Sequence, residues 1–237
     1  MKKTAASLLL IFFVLTSFAQ RQFVVDANAE LRTIGKSFSE IKVSDGIDIY
    51  LSQSDNEAVA VSASEEKYKA NIKVAVEGTT LRIYYEGEKW WGKDRKMTAY
   101  ISFINLEKLN ASGASDISVA GTIRATALKI ILSGASDFKG DVAVTSLDME
   151  LSGASDVTIS GTATNLNIES SGASDVKGYG LKTEICTAKA SGASDISIAV
   201  NKELNAHASG ASTISYRGTG VIKEVHSSGA SSVSKKG

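Results

Sequence analysis

Through the second half of the chain, small or apolar residues alternate with polar ones at a period of two, the mark of strands with one buried face. The alternation is punctuated by Ser-Gly-Ala-Ser-Asp at residues 112–116, 133–137, 152–156, 171–175 and 191–195, with looser copies at 209–213 and 228–232. Successive glycines of these seven copies are 21, 19, 19, 20, 18 and 19 residues apart. Aligning the copies exposes apolar columns. Three residues before the first serine stand Leu109, Ile130, Met149, Ile168, Ala188, Ala206 and Val225. Five before it stand Leu128, Leu147, Leu166, Cys186 and Leu204, broken by Glu107 and Lys223 in the end copies. After the corner, Ile117, Phe138, Val157, Val176, Ile196, Ile214 and Val233 open the next strand.

One such unit cannot bury its own apolar face, but stacked copies can, each strand bonding to its equivalent about 4.8 Å away. The pattern therefore predicts an all-β protein, a parallel β-helix or solenoid with coils of about 19 residues. Seven coils extend roughly 34 Å at that spacing, and the preference of parallel crossovers favours a right-handed winding. A β-propeller is excluded, because its blades need about 40 residues. The chain has no proline, which suits a backbone that is mostly paired strand.

Residues 37–104 lack the corner motif but keep the alternation, as in Ile47-Asp-Ile49-Tyr-Leu51 and Ile72-Lys-Val74-Ala-Val76. They are expected to form irregular β coils or a cap on the regular helix of residues 105–237, with a helical turn only near 64–71. Val43-Ser-Asp-Gly-Ile-Asp48 reads as a diverged corner. Residues 1–19 read as a signal peptide: Lys2 and Lys3 precede an apolar run that ends in Ser17-Phe18-Ala19, predicting a mature start at Gln20. That run is too short for a comfortable membrane span, and no later segment qualifies as an integral membrane segment. Residues 20–36 are expected as a loose leader. The expected location is therefore outside the cytoplasm, in the periplasm or at the cell surface and beyond.

Within this frame, Gly46-Ile47-Asp48 followed by repeated Ser-Gly-Ala-Ser-Asp-(Ile/Val/Phe) resembles the putative auto-transporter adhesin, head GIN domain family, over roughly residues 37–220. The resemblance implies a β-helical fold, export and an adhesin-like role. Asp48 stands where the family pattern leads one to expect Asn.

Composition and charge narrow the chemistry further. The formal charge of zero falls to about −2 once Lys2 and Lys3 leave with the signal peptide, so there is no basic footprint for nucleic acid. Cys186 is the only cysteine and cannot pair internally; its column marks it as a core residue. Asp116, Asp137, Asp156, Asp175 and Asp195 should stack as an outward polar column at the corners, hydrogen-bonded to corner N–H groups and serine hydroxyls. The sharper alternative is a calcium ladder, but the Gly-Gly-x-Gly-x-Asp pattern of calcium solenoids is missing.

The corner serines lack the Gly-x-Ser-x-Gly setting and a paired base, so no catalytic residue is assigned. His207 and His226 should be neighbours in an outward column with Lys189, Glu169 and Glu150, a solvated face rather than a transition-metal pair. No metal site or cofactor is expected. Trp90 and Trp91, in the polar stretch Glu86-Gly-Glu-Lys-Trp-Trp-Gly-Lys, read either as a lid over the open end or as a candidate ligand-binding site. The favoured function is a non-catalytic interaction protein whose partner is a glycan or an envelope or extracellular protein. A structural envelope scaffold is the alternative, and a polysaccharide-acting β-helix enzyme is the third reading.

Overall fold

A computed structural model of the protein describes residues 26–88 and 95–237, and every strand among them joins one sheet of sixteen strands. The signal-peptide reading of residues 1–19 falls outside the described residues. The N-terminal strands are β1 (Glu30–Arg32), β2 (Glu40–Val43), β3 (Asp48–Gln53), β4 (Ala58–Ser62), β5 (Ile72–Glu77), β6 (Thr80–Tyr85) and β7 (Thr98–Phe103). One helix, α1 (Glu66–Asn71), precedes β5 and buries Tyr68. The regular part follows as β8 (Lys108–Ala111), β9 (Asp116–Leu132), β10 (Asp137–Leu151), β11 (Asp156–Ser170), β12 (Asp175–Ala190) and β13 (Asp195–Ala208). It closes with β14 (Thr213–Arg217), β15 (Val221–Ser227) and β16 (Ser232–Lys235).

From β8 onward the strands pair in parallel with their copies in the next coil, in the register that the sequence columns imply. Phe138 faces Ile117 and Val157, Met149 faces Ile130 and Ile168, and all six are buried. The solenoid core is this stack of columns. Cys186 lies between Leu166 and Leu204 in its column, fully buried, and desolvation pushes its thiol up to about 12.

The corner motif has one task per residue. The glycine turns the chain with positive φ, +81° at Gly134 and +82° at Gly153. The alanine N–H donates to the glycine carbonyl one coil back, at 2.7 Å from Ala154 to Gly134. The second serine is buried, and its hydroxyl donates to the first serine's carbonyl, 3.1 Å from Ser155 to Ser152. Buried hydroxyls need such a partner, so the motif carries its own satisfaction.

The N-terminal strands stack out of chain order. β2 lies between β6 and β8, and β3 between β7 and β9, all in parallel. The coil of residues 40–53 is thus inserted between the coil of β6 and β7 and the first regular one. Its corner, Ser44-Asp45-Gly46-Ile47, sits against Ser112-Gly113, with Ser112 N–H donating to Val43 at 3.1 Å. Antiparallel pairing then finishes that end: β4 on β7, β1 on β4, and β5 on β6.

Two expectations change. Residues 30–32, expected in a loose leader, form edge strand β1 because β4 offers an unpaired ladder to bond to. Lys223 does not continue the Leu204 column. Ile222 faces Leu204 and Glu224 faces Asn205, so Lys223 is the extra residue of a bulge that keeps its charge exposed.

Candidate functional site

Strand alternation sends two outward columns along the face that follows the corner. The first is Asp48, Asp116, Asp137, Asp156, Asp175 and Asp195, with Thr98 beyond one end. The second, two residues further along each strand, is Tyr100, Tyr50, Ser118, Lys139, Thr158, Lys177 and Ser197. A shallow depression of about 330 Å³ lies between them, floored by Ile117 and Phe138 and edged by Asp116, Asp137, Lys139 and Lys177.

The predicted aspartate column is brought together, extended by Asp48 at its N-terminal end. Its hydrogen bonding is sparser than the pattern suggests. Asp48 Oδ1 accepts from Asp116 N–H at 3.1 Å and Asp137 Oδ1 from Asp156 N–H at 3.2 Å. The second serines of the corners instead donate to carbonyls. Lys177 neutralises the middle of the column, 3.3 Å from Asp175 and 3.9 Å from Asp156. Burial raises the Asp48 carboxyl above its ordinary value; the Asp116 N–H opposes this and the Asp116 charge adds to it.

A second feature runs on the other side of the corner. The first serines Ser152, Ser171, Ser191 and Ser209 flank a groove of about 580 Å³ whose far wall is Glu150, Glu169, Lys189, His207 and His226. Lys189 lies 2.7 Å from Glu169, and Lys129 lies 2.5 Å from Glu150. The two imidazoles stack with centroids 5.0 Å apart.

From Ser115 to Ser212 the second serine of the corner is buried, and its hydroxyl is bonded three residues back within the turn. Trp90 and Trp91 lie outside the described residues. Among the described residues, Arg95 donates to the Glu88 carbonyl at 2.9 Å and its guanidinium covers the Tyr85 ring at 4.6 Å.

Sequence reasoning misses two groups. Tyr50 and Tyr100 stack with centroids 5.4 Å apart and planes 13° from parallel, and Tyr50 is exposed. Only the out-of-order threading of β3 against β7 makes them neighbours. Glu224 joins His207 and His226, and its signal was available: it lies two residues before His226 on the same strand face.

No helix among the described residues is long and apolar enough to cross a membrane. The family model "putative auto-transporter adhesin, head GIN domain" matches residues 37–220. Among solved structures, a putative adhesin from Bacteroides fragilis is similar at 23% identity and TM-score 0.74, covering 88% of this chain and 96% of that one. A putative adhesin from Parabacteroides merdae is similar at 16% identity and TM-score 0.66, covering 90% and 98%. A putative lipid binding protein from Parabacteroides distasonis is similar at 18% identity and TM-score 0.62, again covering 90% and 98%. At these identities the likeness is one of fold. No curated protein matches the sequence.

Proposed function

The chain belongs to the putative auto-transporter adhesin, head GIN domain family, and from that premise we propose that it is an exported, non-catalytic adhesin that binds a glycan through the face following its corners. The observation that carries this reading is the in-register pairing of that face. It sets a file of carboxylates beside a file of Lys and Ser side chains and ends it in the stacked Tyr50–Tyr100 pair.

Sugars are recognised by aromatic planes against their C–H faces and by carboxylate and hydroxyl groups around their rims. This face supplies both, repeated at the strand spacing of about 4.8 Å, which suits an extended and repetitive ligand. Trp90 and Trp91 belong to the same N-terminal part of the chain and are proposed as further aromatic contacts. The signal-peptide pattern of residues 1–19 supports export to the periplasm or cell surface.

The test is a glycan-array screen of residues 20–237 beside two variants, Trp90→Ala with Trp91→Ala, and Tyr50→Ser with Tyr100→Ser. Specific binding that either variant loses supports the reading. Absence of binding by the unaltered protein sinks it and leaves a protein partner or an envelope scaffold.

A further inference from the structure

The C-terminal end of the serine-flanked groove holds side chains of a different chemistry from the rest of its wall. His207 on β13 faces His226 on β15 across one ladder step, with the rings stacked 5.0 Å apart and 21° from parallel. Glu224 projects from the same face of β15, two residues earlier, and its Oε1 lies 2.8 Å from His226 Nε2. One ligand atom from each of the three residues lies within 4.8 Å of the others. Among the described residues, no other group of three His, Cys, Asp or Glu side chains converges this closely.

We propose that His207, Glu224 and His226 form a surface site for a divalent first-row transition metal ion, Zn²⁺ or Ni²⁺ among them. Two imidazoles and a carboxylate suit these ions, whereas calcium and magnesium take all-oxygen shells. Metal–ligand bonds of about 2.0–2.2 Å require ligand atoms roughly 3.4 Å apart in a tetrahedron. At 2.8 Å the His226–Glu224 contact lies inside that spacing, so these two atoms need only part slightly to admit an ion between them. Glu224 and His226 are exposed, so side-chain rotation alone draws the remaining atoms inward.

Nearby charge does not oppose a cation. Lys189, the next residue along the column, is held by Glu169 at 2.7 Å, and Lys223 lies 3.6 Å from Glu203. Three protein ligands leave at least one coordination position open to water or to a donor from another molecule. The site has a consequence for the fold as well. β15 is exposed along its whole length and pairs only with β13 among the described residues. An ion bridging His207 to Glu224 and His226 would fasten it to the rest of the solenoid.

The proposal stands apart from glycan recognition, which uses the opposite side of the corner. It is tested by titrating the tag-free protein with Zn²⁺ and with Ni²⁺ at neutral pH in a calorimeter. The expected result is one ion per chain, with binding abolished in the His207→Gln, His226→Gln double variant. Glu224→Gln should weaken it by about tenfold or more, since losing even a hydrogen-bond partner of a ligand costs that much. All three positions face solvent, and unchanged circular dichroism would confirm that the variants fold. An absence of saturable binding, or stoichiometric binding that survives in the double variant, overturns the proposal. Full affinity in Glu224→Gln overturns the three-residue assignment.

Discussion

The corner of residues 44–47 and the corner of residues 112–115 lie against one another, yet they are built differently. Asp45, with φ +65°, takes the place of Gly113, with φ +90°, and buried Ile47 takes the place of buried Ser115. Aspartate tolerates the left-handed conformation better than most residues, and here its carboxylate accepts from the Ser44 hydroxyl at 2.8 Å. A positive φ is therefore not enough to demand glycine. The neighbour decides. A β-carbon on Gly113 would meet Asp45 N at 3.3 Å, a tight but adjustable contact, whereas one on Gly153 would meet the Gly134 carbonyl oxygen at 2.3 Å. Regular stacking sets glycine on glycine, and each copy removes the room for a side chain on the next.

Substituting the two glycines separates conformation from crowding. Gly113→Ala should cost about 1–2 kcal/mol, the price of a left-handed L-residue. Gly153→Ala adds a backbone clash that no rotamer relieves, and should cost at least about 3 kcal/mol. Urea unfolding of the two variants measures the difference. Equal losses would mean that crowding by the preceding coil contributes nothing, and the distinction between the two corners would collapse.

The same contrast explains how much of the molecule could be read from its sequence. Between regular coils, partners are about one repeat apart, so aligning the repeats predicts register directly: Leu147 against Leu128, Cys186 against Leu166, His207 against His226. Where the spacing slips, the alignment slips too. It placed Lys223 in a leucine column, and the fold instead bulges at that residue and seats Ile222 there. In the N-terminal part, alternation reveals that strands exist but not whom they join. Nothing local says that β2 enters between β6 and β8, since the choice rests on which edges remain unpaired once the chain has doubled back. The Tyr50–Tyr100 pair inherits that opacity. The aspartate column was legible as a file of residues, though its bonding was not, because the serine hydroxyls had carbonyls closer to hand.

Cys186 tests whether the regular core is as closed as its columns suggest. With the thiol pushed up to about 12 by burial, the folded protein should resist a maleimide near neutral pH and react fully once unfolded. The sign of the pH effect follows from the same shift. Below the ordinary thiol value of 9.0 both states keep the proton, so the group's contribution is fully present. As pH rises from there toward 12, the unfolded chain ionises first and stability falls. Cys186→Ser should cost about 1–3 kcal/mol by placing a hydroxyl among leucines, and should remove the thiol's share of the alkaline loss. Rapid labelling of the native protein would show that the solenoid opens at this coil.

The smallest effect sharpens the comparison most. Asp48 and Asp137 each accept the N–H of the aspartate one coil on, at 3.1 and 3.2 Å, but Asp48 is the less exposed and its carboxyl is raised by burial. A raised carboxyl is a cost of charge: Asp48 favours folding fully below its unfolded value near 3.8 and loses that contribution as pH rises through the folded one. Asparagine keeps the accepting oxygen and drops the charge that faces Asp116. Asp48→Asn should therefore stabilise the protein at neutral pH, by less than about 1 kcal/mol, with the gain fading as pH falls through the raised folded value toward 3.8 and absent below it. Asp137→Asn, at an exposed position, should change stability by no more than a few tenths of a kcal/mol. Thermal melts of both variants at neutral and acid pH read the contrast. A pH-independent effect of Asp48→Asn would mean that burial of the charge contributes nothing and that the N-terminal corner holds its aspartate for the hydrogen bond alone.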